Sequence, residues 1–220
     1  MLRRAWWALV RLGFRLLYNE LAWTYDLVSR VVSLGEWHAW QQTALRLLAV
    51  ESGAWVLELA HGTGDLQVDL WAAGLKPVGL DLSPAMGRIA QRKLVRRHVT
   101  PWLVRGMAQH LPFAAESFPA VVSTFPTDFI VDPQTAREVY RVLKPGGRLV
   151  VVANGVLTGG GLLRHVLEWA YRVTGQRGPW PVEPLQLYEA AGFQVQRVEV
   201  PCQRSVALVI VAEKGGNSGW

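Results

Sequence analysis

Trp55-Val-Leu-Glu-Leu-Ala-His-Gly-Thr-Gly64 and, a helical stretch later, Val78-Gly-Leu-Asp81 carry most of the information in this chain of 220 residues. Trp55 to Leu59 is an apolar run broken only by Glu58, the pattern of a strand buried in a parallel sheet. Gly62 and Gly64 then supply a tight turn and a backbone approach that a side chain would block. From Asp65 the apolar residues recur at helical spacing until Gly74, where a helix stops. That order aims the N–H groups of a helix N-terminus at a bound anionic group. Asp81 closes the next strand, where its carboxylate can accept hydrogen bonds from both hydroxyls of a ribose. Such bonds are worth roughly 1.5 to 3 kcal/mol each. The segment reads as a site for a nucleotide-type cofactor.

A dinucleotide fold would produce nearly the same pattern, so the glycine spacing discriminates. The dinucleotide fingerprint needs a third glycine or alanine where this chain has Gln67, because helix and strand must approach closely there. NAD is therefore disfavoured. The order acid, glycine turn, ribose acid instead resembles motifs I and II of the class I S-adenosylmethionine-dependent methyltransferases. Three further segments follow in family order. Gly106-Met-Ala-Gln-His-Leu-Pro-Phe and Ser117-Phe-Pro-Ala-Val-Val-Ser123 resemble the approach to strand four, and Arg137-Glu-Val-Tyr-Arg-Val-Leu-Lys-Pro-Gly-Gly-Arg-Leu-Val-Val-Val152 resembles the helix, turn and fifth strand. Ala191-Gly-Phe193 opens a last strand pair. The likeness covers residues 20 to 213 and is nearest to the branch holding the ubiquinone and menaquinone biosynthesis C-methyltransferases.

The resemblance implies S-adenosylmethionine as cofactor and assigns its contacts residue by residue. Glu58, Ala60, His61, Gly62 and Gly64 form the turn; Asp81, Leu82 and Met86 follow the second strand; Met107 and Ala108 follow the third; Thr124 ends the fourth. Two positions depart from the family. Met107 stands where an aspartate usually accepts from the adenine amino group, and a thioether accepts only weakly. Ala60 stands for the first glycine, with His61 in the following variable position. His61, Asp128 and Tyr25 are the candidates for a general base, which is needed only if the attacking atom carries a proton. Tyr25-Asp26 also resembles a Tyr-Asp pair near the start of many relatives.

Alternation of strand and helix patterns places the chain in the α/β class. Strands are expected near residues 54–59, 77–81, 101–105, 119–124, 147–153, 193–200 and 205–213, with helices near 64–73, 84–97 and 132–143. The last two strands read as a hairpin around Pro201-Cys-Gln-Arg204. By resemblance the fold is Rossmann-like: a seven-stranded, mostly parallel sheet in the order 3-2-1-4-5-7-6, with helices on both faces and an N-terminal helical extension. Residues 1–50 are read as that extension or cap, 51–214 as the S-adenosylmethionine-binding methyltransferase domain and 215–220 as a flexible tail.

At 50% hydrophobic and 18% charged residues the chain is globular, not disordered. The lone Cys202 cannot form an internal disulfide and no secretory signal order is visible, so the expected compartment is the cytoplasm. The net charge of +6 asks for an acidic partner or surface. Arg88, Arg92, Lys93, Arg96, Arg97 and Arg105 concentrate it after Asp81. Nucleic acid is not the expected partner, because no RNA-binding module is recognisable and Ser123-Thr-Phe-Pro-Thr-Asp128 lacks the Asn/Asp-Pro-Pro-Tyr motif of amino-directed base methyltransferases. Arg4, Arg11 and Arg15 share one helical face of residues 1–17, and Trp6, Leu9, Leu12, Phe14 and Leu16 occupy the remainder. The arginines interrupt any membrane span. Such a helix suits either peripheral contact with an anionic membrane, on its inner face, or a cap over the site. Several of the 11 tryptophans (Trp23, Trp37, Trp40, Trp169, Trp180) fall where a lid would wall an apolar acceptor. The histidines show no ligand spacing, so no metal is expected. The resulting expectation is a methyltransferase acting on a small, apolar molecule such as a quinone precursor or lipid. A non-catalytic member of the fold that docks on a membrane or partner is the alternative, motivated by Met107 and Ala60, and an RNA methyltransferase ranks below it.

Overall fold

The computed structural model describes residues 24–158 and 184–216. Two helices, α1 (Tyr25–Val32) and α2 (Trp37–Leu47), precede an alternating series: β1 (Trp55–Leu59), α3 (Asp65–Ala72), β2 (Lys76–Asp81), α4 (Pro84–Arg96), β3 (Trp102–Arg105) and β4 (Phe118–Thr124). A 3-10 turn (Asp128–Val131) leads to α5 (Pro133–Val142), β5 (Leu143–Leu157), α6 (Pro184–Ala190), β6 (Phe193–Pro201) and β7 (Ser205–Lys214). The strands form one sheet in the order β3-β2-β1-β4-β5-β7-β6, as the resemblance implied. Pairings from β3 to β5 are parallel, and β7 runs antiparallel to both β5 and β6.

Alternation along each strand splits the core between the two faces of the sheet. Val56, Ala120, Val122, Val150, Val152, Val209 and Val211 pack on one face with Trp40, Ala44, Leu66 and Leu70 of α2 and α3. Leu57, Leu59, Val121, Leu149, Val151 and Ile210 pack on the other with Ala136 and Val139 of α5 and Tyr188 of α6. Burial on both faces is why these strands read as nearly unbroken apolar runs. Helix entries are set by local chemistry. The Ser83 hydroxyl accepts from the Met86 N–H at 3.3 Å, Asp132 accepts from the Gln134 N–H at 2.8 Å, and Pro84 and Pro133 occupy the first turns behind them.

β5 is longer than the expected 147–153. Leu143 already pairs with Phe118, and the next pair is Ala120 with Arg148, so Lys144-Pro-Gly-Gly147 bulges out where a turn was read. Its far end continues beside β7 through Leu157. α2 is clamped onto this β5–β7 pair. The Trp40 indole N–H donates to the Ser205 hydroxyl at 2.7 Å, which donates to Glu36 Oε2 at 2.6 Å. Any side chain at Gly155 would run into the Trp40 ring. No helix among the described residues is long and apolar enough to cross a membrane. The amphipathic segment 1–17, Trp23, Trp169, Trp180 and residues 217–220 lie outside the described residues.

Candidate active site

The carboxyl end of β1 runs into three left-handed residues within five positions: Ala60 (φ 57°), Gly62 (φ 53°) and Gly64 (φ 84°). For a residue with a Cβ this conformation costs about 1 to 2 kcal/mol. Ala60 therefore keeps the backbone that explains a family glycine at its position, without the glycine. The Leu80 carbonyl pins the turn by accepting from Ala60 N–H at 2.7 Å and His61 N–H at 3.3 Å. The two glycines do different work. A Cβ at Gly64 would lie 3.0 Å from the Ala90 Cβ of α4, so that glycine serves packing. A Cβ at Gly62 would meet no atom of the described residues within 4 Å beyond its chain neighbours, which leaves room there for a ligand. Lys93, part of the basic run, reaches back from α4 to Thr63 Oγ1 at 3.2 Å and Asp65 at 2.7 Å.

Asp81 sits across from this turn at the end of β2. Its Oδ2 accepts from the Gly62 N–H at 2.9 Å and its Oδ1 from the Ser83 N–H at 2.8 Å. An ionised carboxylate offers about four acceptor positions, so both oxygens retain capacity for a vicinal diol. Leu82 beside it is 58% exposed and can cover a flat ring, while Met86, in the first turn of α4, is buried. A groove of about 320 Å³ opens here between Asp81, His61, Arg88 and Leu103. A larger groove, about 570 Å³, lies between Trp55, Trp102 and Phe113 at the opposite ends of the strands. Ligands of open α/β sheets bind at the carboxyl ends, so the smaller groove is the relevant one.

Gln67 shows why the dinucleotide spacing fails. Its side chain is fully buried, and its Nε2 donates to Glu58 Oε2 at 2.6 Å. Burial pushes the Glu58 carboxyl up to about 8; the Gln67 bond opposes that rise and the charge of Asp81 adds to it. His61 is buried with its ring over Gly79, where a Cβ would lie 2.8 Å from its Cδ2. Its Nδ1 lies 2.9 Å from the Gly62 carbonyl, and burial holds the imidazole below its usual range against the pull of Asp81. Ala108 is buried next to Met107, which is 47% exposed at the end of β3 and free of the core. Thr124 ends β4 and Asp128, exposed, opens the 3-10 turn. Tyr25 starts α1, and its side chain lies outside the described residues. Two neighbours of Thr124 went unsingled in the sequence, Gln41 and Phe125. Among the described residues no group of His, Cys, Asp and Glu could hold a metal ion.

Residues 14–180 match the ubiE/COQ5 methyltransferase family. The chain belongs to that family. A demethylmenaquinone methyltransferase of Lactiplantibacillus plantarum is 36% identical over 162 residues, covering 70% of this chain and 68% of the relative. A ubiquinone/menaquinone biosynthesis C-methyltransferase of Syntrophotalea carbinolica is 38% identical over 141 residues, 63% of this chain and 60% of its own. Among solved structures, a phosphoethanolamine N-methyltransferase of Haemonchus contortus in complex with S-adenosylmethionine aligns with a TM-score of 0.60 at 16% identity. That alignment covers 82% of this chain and 53% of the other, and it speaks to the fold alone. S-adenosylmethionine is the cofactor of the ubiE/COQ5 family, and the site fits it: an open cradle at Gly62, a helix N-terminus beyond it and a carboxylate with acceptor capacity at Asp81.

Proposed function

We propose that this member of the ubiE/COQ5 family methylates a small, apolar, quinone-type molecule. The observation that carries the reading is Asp81, held by Gly62 and Ser83 N–H groups beside a turn whose first glycine, Gly62, faces space that no described residue fills. The names of the relatives support a quinone-type acceptor, and the aromatic side chains beside the end of β4 are compatible with one. Bound S-adenosylmethionine supplies an electrophilic methyl group on a sulfonium. The protein supplies positioning: Asp81 fixes the ribose, the turn fixes the remainder of the donor, and the low-dielectric floor formed by Leu59, His61 and Leu80 excludes water. A ring hydroxyl on the acceptor has to lose its proton for an adjacent carbon to become nucleophilic. Of the two candidate bases whose side chains are described, Asp128 is favoured, because its carboxylate is exposed just beyond β4, whereas the His61 imidazole is turned onto Gly79. The non-catalytic alternative rested on Ala60 and Met107. Ala60 adopts the glycine conformation all the same, and Met107 is exposed where a ring can lie on it.

The test is transfer of an isotopically labelled methyl group from S-adenosylmethionine to demethylmenaquinol, read by mass spectrometry of the extracted quinone. Label in the quinone is expected, and Asp128→Asn should bind S-adenosylhomocysteine normally yet lose turnover. Absence of label, with cofactor bound, would remove the quinone-type acceptor.

A further inference from the structure

At the carboxyl end of β4 the backbone adopts a conformation that sequence alone would not favour. Phe125 has φ 50°, a left-handed value at which a bulky side chain is strained. Strain of this kind persists only where its surroundings over-determine it, and it clusters at functional sites. Here the Phe125 N–H is held by the Val152 carbonyl at 2.8 Å. Its ring is stacked on Trp37, with centroids 3.9 Å apart and planes inclined by 30°. Trp40, pinned by Ser205, flanks the pair at 5.9 Å from Phe125. The result is an aromatic cluster in which Trp40 is tilted by 60° against Phe125.

Gln41 lies one helical turn after Trp37, so the two side chains share a face of α2. It is 9% exposed. Its Nε2 donates to Thr124 Oγ1 at 3.3 Å, but its Oε1 is buried without a hydrogen-bond partner among the described residues. An unmatched buried acceptor costs stability, and a leucine would fill the same volume without that cost. The location is specific. Ser123, the residue before Thr124, donates its hydroxyl to the Leu59 carbonyl at 2.9 Å, which ties the end of β4 to the β1 turn. Strand order reverses between β1 and β4, the crevice in which ligands of such sheets bind.

We propose that Gln41 is the polar anchor of the acceptor: its Oε1 accepts a hydrogen bond from the hydroxyl of an aromatic ring held beside the Trp37–Phe125 stack. The inference rests on the methyltransferase reading and sharpens it. A buried acceptor calls for a donor, and a ring hydroxyl supplies one. An apolar wall with one convergent polar group is how small-molecule sites combine affinity with orientation.

The experiment is titration calorimetry of the full chain with 1-naphthol and 1-methoxynaphthalene, which differ in the hydroxyl donor, each in the presence of S-adenosylhomocysteine. The wild type is expected to prefer 1-naphthol by about threefold to tenfold, the range of one neutral hydrogen bond. In Gln41→Leu the preference should vanish, S-adenosylhomocysteine should bind as before, and the melting temperature should stay level or rise. A preference that survives in Gln41→Leu, or that is absent from the wild type, overturns the proposal. So does a loss of S-adenosylhomocysteine affinity in the variant, which would give the amide to the cofactor. Gln41→Met, of equal length and without the amide, decides the matter if the leucine variant does not fold. Failure of the wild type to bind S-adenosylhomocysteine at all would instead refute the methyltransferase reading itself.

Discussion

Changing Glu58 to glutamine should make the protein more stable in alkaline solution and almost nothing else in acid. The carboxyl is buried beneath the glycine turn, 2.6 Å from Gln67 Nε2, and burial raises it from 4.5 to about 8. Between those two values the folded chain holds a proton that the unfolded chain has released. Stability from this group is therefore fully present below pH about 4.5 and is lost as pH rises through about 8. At about 1.4 kcal/mol per pH unit, the loss across that window amounts to about 5 kcal/mol. Glutamine has the shape of the protonated carboxyl and does not titrate. The variant should match the wild type near pH 5 and exceed it near pH 8.5, with a gap in melting temperature on the order of 10 to 20 °C for a chain of this size. Thermal denaturation of both proteins by circular dichroism across that range reads the difference directly and cancels every other titrating group. A difference that stays flat with pH would show that Glu58 is ionised in the folded state and that the pocket beneath the turn is wetter than its burial implies.

Met107→Asp should leave the stability within about 0.5 kcal/mol of wild type, because the residue is 47% exposed, and should leave cofactor affinity unchanged or tighter in calorimetry. A large fall in melting temperature would mean that the third strand is placed wrongly against the adenine position. We propose further that residues 1–17 bring the protein reversibly to anionic membranes, since each basic residue near such a surface contributes about 1 kcal/mol. Co-sedimentation with anionic liposomes should fall with added salt and in a chain starting at Tyr18; equal sedimentation of the long and short chains would refute it.

What could be read in the sequence was governed by range. The turn at Ala60–Gly64 and the acid at Asp81 were legible because their chemistry is local: glycines at left-handed positions, a strand before and a helix after. The sheet order followed from resemblance and not from pattern, since parallel pairing leaves no mark of which strands are neighbours. Gln41 was invisible for the same reason. Its partner Thr124 is 83 residues away, and only the packing of α2 on the sheet brings the two together. Nothing in the sequence singled out Phe125, because its left-handed φ goes with the Val152 hydrogen bond and the stack on Trp37 and not with local preference. Gln67 was read as a missing glycine, and the structure adds why a long polar side chain belongs there: it reaches the buried Glu58.

The most direct measurement is titration calorimetry of S-adenosylmethionine into the wild type and into Asp81→Ala. Asp81 presents both carboxylate oxygens beside the glycine turn, anchored by the N–H groups of Gly62 and Ser83. Removing charge-assisted bonds of this kind should weaken binding by about 2 to 4 kcal/mol, roughly thirtyfold to a thousandfold. Saturable one-to-one binding to the wild type with that loss in the variant is the predicted result, and no binding by the wild type, or equal affinity in the two proteins, would contradict it.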